Sequence, residues 1–195
     1  SYYVEVAENY SDWSGDYLIT YTSGSTVLVF DSFSDSSKGA SNTDLISHLT
    51  AEGIHSDYGD PYKAVISKVG EGYSVYLTEV GYIGMTGSKN TVSKTDSAPS
   101  TSTNDYLWKF SYKDGGSVWM TNIGHSGYRL QWNASASCFR CYNGSQKELT
   151  LYRRGTSTGG TGTPGTDPNP GQPDDPDPDD PDPDDPDPDD PDPDQ

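Results

Sequence analysis

The stretch Ser74–Glu79 reads SVYLTE, and the stretch Ser117–Asn122 reads SVWMTN. Each alternates apolar with polar residues over strand length and is rich in β-branched and aromatic side chains, which predicts a β-strand. The likeness extends outward at a constant spacing of 43 residues, so that Gly72 corresponds to Gly115 and the hydrophobic positions after each glycine also correspond. We therefore predict that the two stretches are equivalent strands in two copies of one structural repeat.

A weaker third copy begins near the start of the chain. Gly15 and Gly24 are nine residues apart, the same spacing as between Gly72 and Gly81. Further runs of strand length, such as YYVEV at 2–6 and ELTLYRR at 148–154, are separated by Gly-, Asn- and Asp-containing turn signals. The pattern predicts an all-β domain over residues 1–154. Its first and last strands are predicted to pair, which would leave no exposed sheet edge there.

One helix is predicted within the first copy. Asn42–Asp44 contains residue types that cap helix N-termini. The helix is predicted to continue through Leu45, Ile46 and Leu49 and to end near Gly53, as an insertion in a connecting loop. Such an insertion would account for the greater length of the first copy.

Three all-β copies of this kind resemble the β-trefoil, in which three four-stranded repeats close a short barrel beneath a hairpin cap. A single copy cannot bury its apolar face alone, so the copies must pack around a common axis. The sequence also resembles small β modules of secreted or cell-surface bacterial multidomain proteins, which occur beside glycan-acting enzymes or nucleases. Ricin-type trefoil lectins carry Gln-x-Trp in each repeat, whereas Gln131 and Trp132 are adjacent here. A β-sandwich is the alternative fold.

Residues 155–195 have a different composition from the rest of the chain. A Gly/Thr/Pro-rich bridge leads into three PDPDD repeats from Pro176 onward, and 14 of the 30 acidic residues lie beyond residue 163. Proline fixes φ and lacks an N–H, and the aspartates repel one another, so this segment is predicted to be a disordered, extended linker. Residues 1–163 carry 16 acidic and 12 basic residues, so the acidic isoelectric point arises from the tail.

The same composition argues against several functions. There is no basic cluster for a duplex nucleic acid and no apolar run of membrane-spanning length. His48, His55 and His125 are far apart in sequence, and none lies in a nucleophile motif. We expect neither catalysis nor a bound metal or other cofactor. Cys138 and Cys141 form a lone CxxC, for which two buried thiols, a local disulfide and part of a metal site remain open.

Aromatic residues are the candidates for binding. Val75 and Leu77 must share one strand face, and so must Val118 and Met120, so the residue between each pair points away from the core. Such an aromatic ring offers a flat apolar surface for a sugar ring, unless a neighbouring part of the fold covers it. Near the barrel rim, further aromatic rings lie beside amide groups. The predicted carbohydrate-binding residues are Tyr76, Trp119, Tyr128, Gln131, Trp132 and Asn133.

These observations predict a non-catalytic binding module for a glycan or polysaccharide. The linker composition is typical of chains that join modules, so we expect a piece of a secreted or cell-surface multidomain protein, with the other domains of the same polypeptide as its neighbours. Two alternatives remain: a structural spacer without a ligand, and an accessory module that holds single-stranded nucleic acid by stacking.

Overall fold

Both repeated stretches are strands, and each forms half of an antiparallel hairpin. The computed structural model describes residues 1–155. Within them the chain is all-β, as the sequence predicts, and every strand belongs to one antiparallel sheet. The alternative β-sandwich would require two stacked sheets. The predicted disordered linker lies outside the described residues.

The described residues contain 17 strands and four short helical segments. The first third of the chain forms β1 Tyr2–Glu5, β2 Gly15–Ser23, β3 Thr26–Val29, β4 Ser32–Asp35, β5 Lys38–Ala40, β6 Thr43–Asp44, β7 Leu49–Thr50 and β8 Gly53–His55. The middle third forms β9 Ala64–Val69, β10 Gly72–Leu77, β11 Gly81–Gly84, β12 Ser93–Thr95 and β13 Trp108–Lys113. The last third forms β14 Ser117–Asn122, β15 Arg129–Asn133, β16 Cys138–Tyr142 and β17 Thr150–Arg154. The helical segments are α1 Ser56–Gly59 and three 3₁₀ turns at Ile46–His48, Asp60–Tyr62 and Asn104–Tyr106.

Six strands pair in an order that returns to its starting point, and we call them the six-strand ring. The order is β2, β9, β10, β13, β14, β17 and again β2. Two of the six junctions are single bridges, Tyr73 opposite Trp108 and Val118 opposite Leu149. We call the three thirds of the chain described above its first, middle and last segments. The middle segment adds the hairpin β11–β12, and the last segment adds the hairpin β15–β16. The first segment pairs β3 with β6 and carries an additional hairpin, β4–β5.

Aromatic side chains fill much of the interior. Tyr17, Phe30, Trp108 and Phe139 are fully buried in the main core cluster, beside the aliphatic residues of the ring strands. A second, smaller cluster lies under β1 and the first-segment insertion, and contains Tyr3, Leu18, Val27, Val29, Leu45, Ile54 and Tyr152. The insertion is therefore part of the packed structure, because it contributes apolar residues to this second cluster.

The terminal strands pair as predicted. Tyr3 lies opposite Arg154 and Glu5 lies opposite Tyr152, in antiparallel register. The ring itself, however, is closed by β17, which pairs with β2 and is joined to β14 by the bridge at Leu149. Strand β1 is not part of the ring and pairs with the later residues of β17. On its other edge β1 pairs with β8. The N-terminal strand thus joins the insertion to the last strand.

The predicted helix from Leu45 to Gly53 is wrong. Only Ile46–His48 form a 3₁₀ turn, and the chain then pairs Thr50 with Gly53 in the short β7–β8 hairpin. The N-cap of the 3₁₀ turn is Leu45, which makes no side-chain cap. Asp44 lies one residue earlier, and its Oδ1 accepts the N–H groups of Ile46 at 3.0 Å and of Val27 at 2.8 Å, so it connects the turn to β3.

Asp44 gives a pH-dependent prediction. Burial alone would raise the pKa of its carboxyl group, but hydrogen bonds from the Val27 and Ile46 N–H groups and the Thr26 hydroxyl outweigh it and lower the pKa. We expect Asp44→Ala to cost about 1–2 kcal/mol in free energy of unfolding at pH 7. Asp44 is exposed, so solvent screens its charge and only part of this cost depends on pH. That part is full above the unfolded Asp pKa of about 4 and is lost as the pH falls through the lower folded-state value.

Urea denaturation of wild type and Asp44→Ala at neutral and acidic pH measures this effect. Asp114→Ala is the control, because Asp114 is exposed in the β13–β14 turn and makes no side-chain hydrogen bond or salt bridge within residues 1–155. An equal cost of Asp44→Ala at both pH values would contradict the assignment.

Candidate functional site

The two outer-face aromatics, Tyr76 and Trp119, lie on the face predicted from the sequence. In β10, Val75 and Leu77 are buried in the core, whereas Tyr76 between them is 38% exposed. In β14 the residues on either side of Trp119 are buried, and Trp119 itself is half-buried. Alternation therefore places one aromatic ring outside the core in each of the two equivalent strands.

Trp119 lies between two cations that come from the strands on either side of β14. The Lys113 ammonium of β13 lies 4.4 Å from the centroid of the indole ring. The Arg129 guanidinium of β15 lies 3.9 Å from the same centroid. Cations are attracted to the electron-rich ring face, and each such contact at a surface contributes about 0.5–1 kcal/mol.

The two cations differ in how firmly they are held. Arg129 is buried and donates two hydrogen bonds to the Glu148 carboxylate, from Nη2 at 2.6 Å and from Nε at 3.3 Å. Lys113 has no carboxylate partner within residues 1–155. Lys109, four residues earlier on β13, is exposed. The Arg129 side of Trp119 is therefore fixed, whereas on the Lys113 side a flexible side chain can move away and admit a ligand.

Tyr76 has an aromatic neighbour of its own. Its ring meets that of Tyr82 on β11 edge-to-face, with centroids 5.0 Å apart. Strand β13 separates β10 from β14 in the six-strand ring, so Tyr76 and Trp119 belong to two separate patches. In the aromatic and hydrogen-bond contacts of residues 1–155, neither residue contacts the other four predicted residues, Tyr128, Gln131, Trp132 and Asn133.

Trp132 and Gln131 are buried, which corrects the expectation that they are accessible at the rim. The Trp132 ring is stacked on Tyr21 with centroids 5.7 Å apart and lies edge-to-face on Phe139. The Gln131 amide donates to the carbonyls of Tyr142 and Gly144 and accepts the N–H of Gln146 at 2.7 Å. The Gln131 amide is thus fully engaged, and the Trp132 ring faces are packed against other aromatic rings, so neither residue is available as a stacking platform.

The remaining two predicted residues are half-buried. Asn133 donates to the Tyr142 hydroxyl at 2.9 Å and accepts the Ala136 N–H at 3.0 Å, which closes the β15–β16 turn. Tyr128 packs against the main core cluster, and its ring lies 6.4 Å from that of His125. His125 in turn contacts Asn122 at 3.0 Å in the same loop. The Asn133 amide is engaged in local structure.

Sequence reasoning missed a cleft between the β4–β5 turn and the loop from β11 to β12. Its volume is about 470 Å³. Lys94 and Tyr106 contribute to its wall. Five serine and threonine residues also line it: Ser36, Ser37, Thr86, Thr91 and Ser93. The only sequence signal was Ser/Thr-rich loop composition, which is also typical of ordinary turns.

Both cysteines are buried thiols without a disulfide. Both lie on β16, which extends from Cys138 to Tyr142. They are three residues apart, so their side chains point to opposite faces of the strand. Burial raises the pKa of each thiol, most strongly for Cys141. Of the three alternatives left open by the sequence, the geometry corresponds to two small apolar side chains in the core.

Residues 1–155 hold no group of three or more His, Cys, Asp or Glu side chains arranged to bind a metal ion. No helix in this part of the chain is long and apolar enough to cross a membrane.

Comparison with known proteins yields weak structural likeness and no family. No family model matches the sequence, and no curated protein matches it. Among solved structures, the lysenin pore is similar with a TM-score of 0.48 and 10% identity, over 80% of this chain and 50% of that one. A mosquitocidal holotoxin is similar with a TM-score of 0.48 and 14% identity, over 75% of this chain and 18% of that one. The chain thus spans half or less of these proteins, and similarity at this level carries no argument about function.

Proposed function

We propose that residues 1–154 form a non-catalytic, carbohydrate-binding module with a β-trefoil barrel, in which Tyr76 and Trp119 are the stacking platforms. The observation that carries the proposal is their common position: each lies outside the core, in equivalent strands of the six-strand ring. The order of pairing in the ring and the hairpin of each segment support the trefoil.

The chemistry of the platforms suits a sugar. A pyranose ring presents C–H groups on its flat side, and these pack on an aromatic face, while its hydroxyls reach polar groups at the edge. Ser111 lies opposite Trp119 on β13, and Lys113 and Glu148 are nearby. Binding at Trp119 requires only that the Lys113 ammonium leave the ring, at a cost of about 0.5–1 kcal/mol.

Tyr76 forms the second platform, beside the Tyr82 ring with which it makes an edge-to-face contact. Its single aromatic face is smaller than that of Trp119 and lacks neighbouring cations within 6 Å among the described residues. Two platforms on different strands would engage two units of a polymer or two separate chains, so avidity would favour polysaccharides over free monosaccharides. In the setting of a secreted or cell-surface protein, such a module would hold a neighbouring domain on its glycan.

Trp119→Ala is expected to weaken binding to glycans on an array by at least about 30-fold, because it removes the central stacking surface. Tyr76→Ala is expected to weaken it less. The matched control is Tyr58→Ala, because Tyr58 is 48% exposed but stacks on His48 in the insertion, away from both platforms.

Three outcomes would contradict the proposal. No glycan bound by the wild type would indicate a structural spacer. Equal loss in Tyr58→Ala and Trp119→Ala would indicate a nonspecific hydrophobic surface. Tighter binding of single-stranded DNA than of any glycan, abolished by Trp119→Ala, would indicate the nucleic-acid alternative.

A further inference from the structure

A second ligand site lies away from both platforms, in the cleft lined by hydroxyl groups. We infer that this cleft binds a carboxylate-bearing sugar unit of the hexuronate class. The inference goes beyond the proposed function, because it concerns different residues and does not depend on stacking at Tyr76 or Trp119.

The size and lining of the cleft define the class of ligand. Its volume of about 470 Å³ lies within the range of about 300–1,000 Å³ for sites that hold small molecules. Most such sites are largely apolar, whereas six of the eight residues that line this cleft carry a hydroxyl group. Hydroxyls both donate and accept, so they match a ligand that presents several hydroxyls of its own. A polyhydroxylated sugar fits this lining better than an apolar molecule does.

One hydroxyl in the cleft has no partner. The Oγ1 atom of Thr91 is inaccessible to solvent and makes no hydrogen bond within residues 1–155. A buried polar atom without a partner is destabilising, and structures retain few of them. Thr91 is itself half-buried on the cleft wall, so rotation of its side chain about the Cα–Cβ bond would bring Oγ1 to the cleft, where a ligand hydroxyl would supply the missing partner. Two further hydroxyls in the cleft, those of Thr86 and Ser93, contact each other at 2.7 Å, and both can turn toward a ligand.

Charge selects an acidic sugar. Lys94 is the charged residue on the cleft wall. Behind the wall, Arg140 of β16 donates to the carbonyl and hydroxyl of Ser37 at 3.4 and 3.5 Å. Asp35 is close by, but it already accepts the Ser37 N–H at 2.8 Å and pairs with Lys38. Lys94 forms no salt bridge within residues 1–155. Its ammonium lies 5.4 Å from the centroid of the Phe33 ring, a weak contact that it can exchange for a ligand carboxylate in the cleft.

The wall is held together by all three segments of the chain. The Val92 N–H donates to the Ser37 carbonyl at 3.1 Å, and the Cys141 N–H donates to the Thr91 carbonyl at 3.0 Å. Phe139 of β16 pairs with Gly39 of β5. These bonds connect the β4–β5 turn, the β11–β12 loop and β16. The hydroxyls are therefore positioned before a ligand arrives, which reduces the entropy lost on binding.

The test is a ¹⁵N NMR titration of the whole chain with sodium glucuronate. We expect the amide signals of Ser37, Thr91 and Lys94 to shift in the millimolar range. Methyl glucoside lacks the carboxylate, and acetate lacks the hydroxyls, so each should bind at least about 10-fold more weakly. Inorganic phosphate tests whether any anion suffices. Equal shifts with phosphate, acetate or methyl glucoside would overturn the assignment, as would no shift with glucuronate at tens of millimolar.

Two variants separate binding from folding. Lys94→Met should weaken glucuronate binding by about 10- to 100-fold. Thr91→Val keeps the side-chain shape and removes the hydroxyl, so it should weaken binding by about 3- to 10-fold without lowering the melting temperature. A lower melting temperature with unchanged binding would show that Thr91 serves the fold alone and would overturn its role. This site is read from the amide signals of Ser37, Thr91 and Lys94, and the platforms are read from glycan binding by Trp119→Ala, so failure of this site and failure of the platforms are distinguishable.

Discussion

Trp108→Phe is expected to lower the free energy of unfolding by about 3 kcal/mol, one of the largest effects of any conservative substitution in this chain. The Trp108 indole is fully buried, and its Nε1–H donates to the Ile83 carbonyl at 2.9 Å. Phenylalanine leaves that carbonyl buried without a donor and creates a cavity. Trp108 also lies opposite Tyr73, where a single bridge connects β10 to β13. The six-strand ring is therefore weakened at one of its two narrowest junctions.

Chemical denaturation followed by far-UV circular dichroism measures this effect, since the method does not depend on tryptophan emission. Trp132→Phe is the matched control: Trp132 is also buried, but its indole N–H has no acceptor within residues 1–155. It should cost about 1–2 kcal/mol, from lost packing alone. Equal costs of the two substitutions would show that the hydrogen bond to Ile83 contributes nothing.

Gly53→Ala is expected to cost about 3 kcal/mol or more and to detach the N-terminal strand. Gly53 has a φ of +115°, which side-chain-bearing residues rarely adopt, and an added Cβ would collide with the backbone carbonyl oxygen of Tyr3. Because β8 pairs with β1, relief of the collision requires that β1 move away. Such a movement exposes Tyr3, which is fully buried in the second core cluster.

Gly115→Ala is the matched control, because Gly115 has a φ of +97° but no atom within 4 Å of an added Cβ. It measures the cost of backbone strain alone, about 1 kcal/mol. Hydrogen exchange should show faster exchange of the β1 amides in Gly53→Ala than in Gly115→Ala. If both variants are equally stable and equally protected, β1 does not pack against Gly53 as described.

Period-two alternation was a sufficient signal for strands with one buried face. It placed Val75 and Leu77 inside and Tyr76 outside, as the structure shows. It failed in β15, where Leu130, Gln131 and Trp132 are all buried. Gln131 is satisfied by backbone groups 11 to 15 residues further along the chain. A sequence pattern shows which residues alternate, but it cannot show which distant groups will cover the second face.

The insertion in the first segment was also only partly predictable. The sequence identified a polar residue before the turn, but Asp44 bonds the Val27 N–H of β3 as well as the Ile46 N–H, and the N-cap itself is Leu45. The helix that was expected to follow is replaced by strands because Leu45 and Ile54 join a cluster with Tyr3 and Tyr152 from the two ends of the chain. Tertiary packing thus overrides local propensity. The cleft escaped prediction for the same reason, because its lining comes from segments that are distant in sequence.

The central claim is that a glycan stacks on Trp119, and the indole N–H signals of the four tryptophans test it directly. Trp13, Trp108 and Trp132 are buried, and Trp119 is the one that is half-buried. In a ¹H–¹⁵N NMR titration with soluble oligosaccharides of glucose, xylose, mannose and N-acetylglucosamine, we expect at least one sugar to shift the Trp119 signal, identified by its loss in Trp119→Phe, while the other three stay in place. An unmoved Trp119 signal with every sugar bound by the wild-type protein would contradict the claim.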